Sequence, residues 1–179
     1  NGVDVDKFSR RLDHSHGKLR LLVSHRLTPI KRFHLIPELI SKLITTQKRV
    51  EVSVLGGGVR NYRHRHNTLE YFRSRVSSFG LDEYFTFYGH IPHKELPNFY
   101  ASHDIMINLS HLDPCPNVVI EALASGVPVI APDSGGIPEL VNTQSGILVP
   151  ELAPSPDLID YYNYESYPTI NFGAYIKAI

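Results

Sequence analysis

The sequence predicts an α/β fold, a doubly wound Rossmann-like parallel sheet of about six strands, and three observations predict it. Short apolar runs rich in β-branched residues alternate with segments of helical spacing. No internal repeat or long linker interrupts the alternation. The stretches that carry candidate ligand groups follow the ends of five strands, where open parallel sheets bind their ligands.

A chain of 179 residues, 42% hydrophobic and 20% charged, is long enough for a real core and has the composition of a soluble globular protein, not a disordered or fibrous one. Lys plus Arg and Asp plus Glu number 18 each, so no net charge draws the chain to nucleic acid or an anionic membrane, and any anion site is local. The single cysteine, Cys115, cannot form an internal disulfide, which favours a reducing compartment. No apolar run reaches the length of a transmembrane segment, and no signal peptide is visible. The chain starts at Asn1 and reads as a piece of something longer.

Asn1-Gly2 is a turn signal, and the polar stretch 9–18, with His14 and His16, reads as loop. Residues 19–24 form the first strand, and a helix over 34–46 puts Leu35, Leu39, Ile40 and Leu43 on one face. Between them stand Arg26 and Lys31, a forked cation and a compact one, which by themselves read as solvated loop residues. The second strand, 50–55, opens onto Gly56, Gly57 and Gly58, where backbone can approach a ligand closely. Arg60, Arg63, Arg65, Arg73 and Arg75, with His64 and His66, form the most basic region and lead into a helix over 68–79. Such runs are mostly solvated helix faces, an acidic acceptor or phospholipid surface being the other use. Neither histidine pair has a carboxylate or thiol at ligand spacing, so no metal site is expected. The third strand, 84–88, ends at Gly89, His90 and Ile91. A short helix over 93–101 has Pro97 near its start and Phe99 and Tyr100 facing inward, and 104–109 is the fourth strand.

The densest signal lies at 113–131. Pro114 and Pro116 hold the entry extended, Asn117 suits the N-cap of a helix over about 118–125, Gly126 stops it, and 127–131 reads as a fifth strand. Asp113 before the helix and Glu121 in its first turns flank a helix N-terminus with two carboxylates. Carboxylates accept hydrogen bonds from hydroxyls, and helix N-termini favour phosphate, so the stretch suits a ligand carrying both. Gly135 and Gly136 form a turn into a short helix at Pro138, and 146–150 is the sixth strand. From Glu151 the chain is rich in Pro, Asp, Asn and Tyr, expected to be loose until Phe172, Tyr175, Ile176 and Ile179 show helical spacing.

Asp113, seven residues, Glu121 and then Gly126-Val127-Pro128-Val129 resemble the carboxylate signature of family 4 retaining glycosyltransferases of the GT-B fold, the glycosyl transferases group 1, which usually opens Glu-Gly-Phe-Pro-Asn. Asn1-Gly2-Val3-Asp4 resembles the end of their interdomain linker, and Gly135-Gly136-Ile137-Pro138-Glu139 their Gly-Gly-x-Pro-Glu segment. The resemblance covers residues 1 to about 150. It implies the C-terminal, donor-binding half of a GT-B enzyme that transfers sugar with retention from a nucleoside-diphosphate sugar. It also implies Glu121 on the ribose hydroxyls, Asp113 on hydroxyls of the donor sugar, and Arg26 and Lys31 on the diphosphate. Amides near Asn117 and Val118 help there, Gly57 and Gly135 lie beside the donor, and Gly89 and Ile91 meet the nucleobase edge. No cofactor or metal is implied. The implied partners are the nucleotide sugar, the N-terminal domain of the same enzyme and an acceptor glycan or lipid. The implied location is cytoplasmic, peripheral to the membrane through the missing domain. The expected division is a nucleotide-sugar-binding Rossmann-like domain over 1–150 and an irregular segment with a truncated terminal helix over 151–179, inactive alone. Asp113 is one methylene shorter than the usual Glu and Pro114 replaces a Gly, which leaves room for a non-catalytic nucleotide-sugar binding module. A GT-B epimerase or phosphorylase domain is a second alternative. A dinucleotide-binding oxidoreductase is disfavoured because no glycine fingerprint follows the first strand.

Overall fold

The computed structural model describes residues 2–8, 17–47, 49–61, 66–152, 163–164, 167 and 169–179. The six expected strands pair in one all-parallel sheet: β1 Leu19–Ser24, β2 Val50–Leu55, β3 Phe85–Gly89, β4 Ile105–Ile107, β5 Val129–Asp133 and β6 Gly146–Pro150. Their order is β3-β2-β1-β4-β5-β6. The chain builds outward from β1 in one direction, then returns to its other side, so the topological switch lies between β1 and β4.

Alternation along the strands decides where the helices go. Leu21 and Val23 of β1 enter one core, with Ile36, Leu39, Ile40 and Leu43 of α2 (Ile36–Leu43), Phe72 and Val76 of α3 (Thr68–Ser78) and Tyr175 of α6 (Phe172–Ala178). Leu22 enters the other, with Phe8 of α1 (Val5–Phe8), Tyr100 of α4 (Leu96–Ala101) and Val119 and Ala122 of α5 (Asn117–Ala124). Each fully buried Leu, Ile, Val or Phe contributes about 1.5–3 kcal/mol, so both faces must be covered. Tyr164 and Ile170 pack into the same core as α2.

Several boundaries differ from the sequence reading, each for a local reason. Helix α2 starts at Ile36 because Phe33–Leu35 winds as a 3-10 turn and Pro37 sits in the first helical turn. Helix α4 starts at Leu96, again with a proline, Pro97, in its first turn. Strand β4 stops at Ile107, and the Asn108 side chain turns back to accept from the Ser110 amide at 2.7 Å. The N-cap of α5 is Pro116, extended at φ −73 and ψ 109, so Asn117 is the first helical residue and provides no side-chain cap.

In the basic region, Arg73 stacks over Phe87 at 4.3 Å and Arg75 over Phe79 at 5.2 Å. These two cations therefore cover aromatic edges of the fold. His14, His16, Arg63, His64 and Arg65 lie outside the described residues.

Candidate functional site

The switch point opens a crevice at the carboxyl ends of β1 and β4, formed by two cavities of about 200 Å³ and about 360 Å³. His25, Arg26 and Val118 line both, so the two adjoin. The smaller holds Glu121, Gly89 and Ile91 among its walls, and the larger Lys31, Asp113 and Asn117. Eight of the residues singled out in the sequence thus meet in one crevice: Arg26, Lys31, Asp113, Asn117, Val118, Glu121, Gly89 and Ile91. Arg26 and Glu121 share one side of the molecule, since both line the smaller cavity.

Two expected residues stand elsewhere. Gly57 does not line the crevice; its carbonyl accepts from the Leu27 amide at 3.1 Å, and the neighbouring Gly56 forms the wall instead. Gly56 is there because a Cβ would stand 2.1 Å from the His25 carbonyl oxygen, so only glycine lets the two strand ends approach. Gly135 lies behind the Asp113 loop. With Gly136 it abuts the backbone of Asp113 and Pro114, and the Gly136 amide donates to the Asp113 carbonyl at 2.9 Å.

The charged groups are arranged by local structure. Arg26, just beyond β1, is exposed, and Lys31 closes the 3-10 turn Pro29–Lys31. The Lys31 ammonium is paired with Asp113 Oδ2, while Asp113 Oδ1 accepts from the Cys115 amide at 3.3 Å. Helix α5 begins at the crevice, where the amides of Asn117 and Val118 precede its first i to i−4 bond. Glu121, one turn on, accepts a hydrogen bond at Oε2 from the Tyr100 hydroxyl at 2.8 Å. His25 is buried beneath the crevice, and burial, aided by the charge of Lys31, lowers its pKa to about 4.

A second layer escaped the sequence reading. Arg32, fully buried with φ 49, donates to both Glu151 oxygens at 2.7 and 2.9 Å and to the Leu109 carbonyl at 2.6 Å. Ser134 adds a bond to Glu151 Oε2 at 3.2 Å. This cluster joins the segments that follow β1, β4, β5 and β6, directly beside Lys31 and the Asp113 loop. Nothing in the local sequence marks Arg32 or Glu151 as buried; their only sign was a basic residue next to Lys31 and an acid at the end of the last strand.

An all-parallel sheet with this order defines a Rossmann-like domain, and its switch point carries cations, carboxylates and a helix start, groups suited to a polar, anionic ligand. Residues 4–158 match the family described as Glycosyl transferases group 1, and the chain belongs to that family. It is 30% identical over 172 residues to a GDP-mannose-dependent alpha-(1-6)-phosphatidylinositol monomannoside mannosyltransferase of Mycobacterium tuberculosis, covering 83% of this chain and 41% of that protein. In structure it is similar to the C-terminal domain of LpcC, a glycosyl transferase group 1 family protein of Francisella tularensis, with a TM-score of 0.70, 24% identity, and coverage of 84% of this chain and 81% of that one. It is also similar to Anabaena HepE in complex with UDP and glucose, with a TM-score of 0.70, 21% identity, and coverage of 84% and 42%. The fold is therefore that of the C-terminal half of a GT-B glycosyltransferase, as the sequence led us to expect. The chain spans less than half the length of the curated relatives it matches. Among the described residues, no helix is long and apolar enough to cross a membrane.

Proposed function

We propose that the chain is the donor-binding domain of a retaining, family 4-like glycosyltransferase, which holds a nucleoside-diphosphate sugar for transfer to an acceptor glycan or lipid bound by an N-terminal domain. The observation that carries this reading is the convergence of Arg26, Lys31, Asp113 and Glu121 on two adjoining cavities at the topological switch. The smaller cavity suits the nucleoside, with Gly89 and Ile91 at the base and Glu121 accepting from ribose hydroxyls. The larger suits the diphosphate and sugar, with Asp113 toward sugar hydroxyls. The UDP and glucose bound by HepE are the same kinds of group.

When the bond from the anomeric carbon to the diphosphate breaks, its electron pair stays with the diphosphate, while the acceptor hydroxyl oxygen bonds to that carbon and its proton passes to the departing diphosphate. Arg26, Lys31 and the free amides of α5 then stabilise the added negative charge. Because these groups supply the compensating charge, donor binding needs no divalent ion.

Calorimetric titration with UDP, GDP and ADP tests the reading. At least one binds the parent chain, Arg26→Ala and Glu121→Ala each weaken it tenfold or more, about 1.4 kcal/mol per contact, and EDTA leaves the affinity unchanged. Equal affinity in the parent and both variants overturns the site, and loss of binding in EDTA overturns its independence of metal.

A further inference from the structure

Glu121 does not stand alone in the crevice wall. Tyr100, on the neighbouring helix α4, is fully buried, and its hydroxyl lies 2.8 Å from Glu121 Oε2 and 2.7 Å from Ser24 Oγ at the end of β1. A phenol has one proton. The charged oxygen of Glu121 takes it, so the hydroxyl of Ser24 must donate to Tyr100, giving a directed chain Ser24 to Tyr100 to Glu121. Burial, reinforced by the charge of Glu121, pushes the Tyr100 phenol well above its ordinary value, so it remains a donor throughout the physiological range. Ser24, Tyr100 and Glu121 all line the smaller cavity.

The consequence concerns the carboxylate's two oxygens. A free glutamate one turn into a helix samples several rotamers and presents either oxygen to a ligand. Here one oxygen is committed to a donor fixed in the core, which selects the rotamer and leaves Oε1 for the ligand. We propose that Tyr100 is a positioning residue that, with Ser24 behind it, sets the carboxylate of Glu121 to recognise the ribose hydroxyls of the donor nucleotide. The inference rests on the reading that Glu121 takes those hydroxyls.

The test compares UDP and GDP with their 2′,3′-dideoxy counterparts by calorimetric titration of the full 179-residue chain. The parent prefers the ribose form at least tenfold. Tyr100→Phe, which deletes only the hydroxyl, weakens the ribose form about fivefold or more and leaves the dideoxy form unchanged. Ser24→Ala shifts the same preference in the same direction by a smaller factor. Tyr100→Phe added to Glu121→Ala changes nothing further. An equal loss for ribose and dideoxy forms in Tyr100→Phe, or a preference as large as the parent's, overturns the positioning role while the donor site stands. A parent-sized preference in Glu121→Ala, or no binding of either nucleotide by the parent, overturns the donor-site reading and this inference with it. Thermal unfolding of each variant well above the titration temperature separates these outcomes from misfolding.

Discussion

At the scale of single residues, the Lys31–Asp113 pair has the most direct bearing on the donor. Both oxygens of Asp113 are engaged in the free protein, one by Lys31 and one by the Cys115 amide. Lys31 is thus already paired, and in the proposed donor site a diphosphate would compete with Asp113 for it. A glutamate at 113 would reach one methylene further into the crevice; the aspartate stays tied to its own loop. Asp113→Asn keeps the shape and removes the competing charge. It should bind UDP as tightly as the parent or a few-fold tighter, and should lose the affinity that UDP-glucose gains from its sugar. Titration of both ligands checks this, and a tenfold weakening toward UDP would show that Asp113 supports the diphosphate site instead. The histidines give a second test. Burial lowers His25 to about 4, with help from Lys31, and His34 to about 3, with help from Arg75 and Arg32. Both folded values lie below the ordinary 6.5, so the unfolded chain takes up protons first as the pH falls. Stability should therefore be complete above pH 6.5 and fall toward pH 4 by about 1.4 kcal/mol per unit for each histidine. Urea unfolding from pH 7 to 4 reads that slope, and His34→Gln should remove one histidine's share of it.

At the scale of elements, the strands were the most legible part of the chain. β1, β2 and β6 fall on the residues expected, because a buried parallel strand is an apolar run whatever surrounds it. Helix starts were less legible. Pro37, Pro97 and Pro116 each occupy a first turn or a cap, and a proline there is equally consistent with a start one or two residues either way. The turn at Gly135 and Gly136 was visible, but its task was not. The family resemblance put it near the donor sugar; in the structure it packs against the backbone of the loop that carries Asp113. A Cβ at Gly136 would stand 1.8 Å from the Pro114 carbonyl oxygen, so the loop must move to admit one. Gly136→Ala should cost about 1–3 kcal/mol in stability. It should also speed alkylation of Cys115, which lines the crevice two residues beyond Asp113. Unchanged stability and labelling would mean that the loop holds its place without the glycine turn.

At the scale of the whole molecule, the sequence showed which loops gather at one end of the sheet but not what holds them there. Arg26, Lys31, Asp113 and Glu121 were recognisable by resemblance to the family's motifs, whereas Arg32 and Glu151 meet across 119 residues and look individually like surface charges. Only the completed sheet brings them together. Arg32 is fully buried and the Glu151 side chain only 9% exposed, so removing either partner strands a charge in the interior. Glu151→Gln should lower stability at pH 7 by about 3–5 kcal/mol, a large share of the roughly 5–15 kcal/mol of an ordinary domain. The pair also carries a proton linkage. Burial pushes the Glu151 carboxyl up, but the hydrogen bonds and charge of Arg32 outweigh it and hold the group below its ordinary 4.5. The pair's stabilisation is therefore whole above pH 4.5 and is lost as the pH falls through the lower folded value. With His111→Gln in both proteins, because that ring lies 3.5 Å from Glu151 and titrates under its influence, the gap in urea unfolding between parent and Glu151→Gln should be constant from pH 7 to 5 and close below 4.5. Because the slopes of His25, His34 and His103 do not depend on Glu151, they cancel in that difference. A gap that stays the same down to pH 3 would show that the carboxylate does not titrate with unfolding, and that packing around Arg32, not its ion pair, binds the four loops of the crevice together.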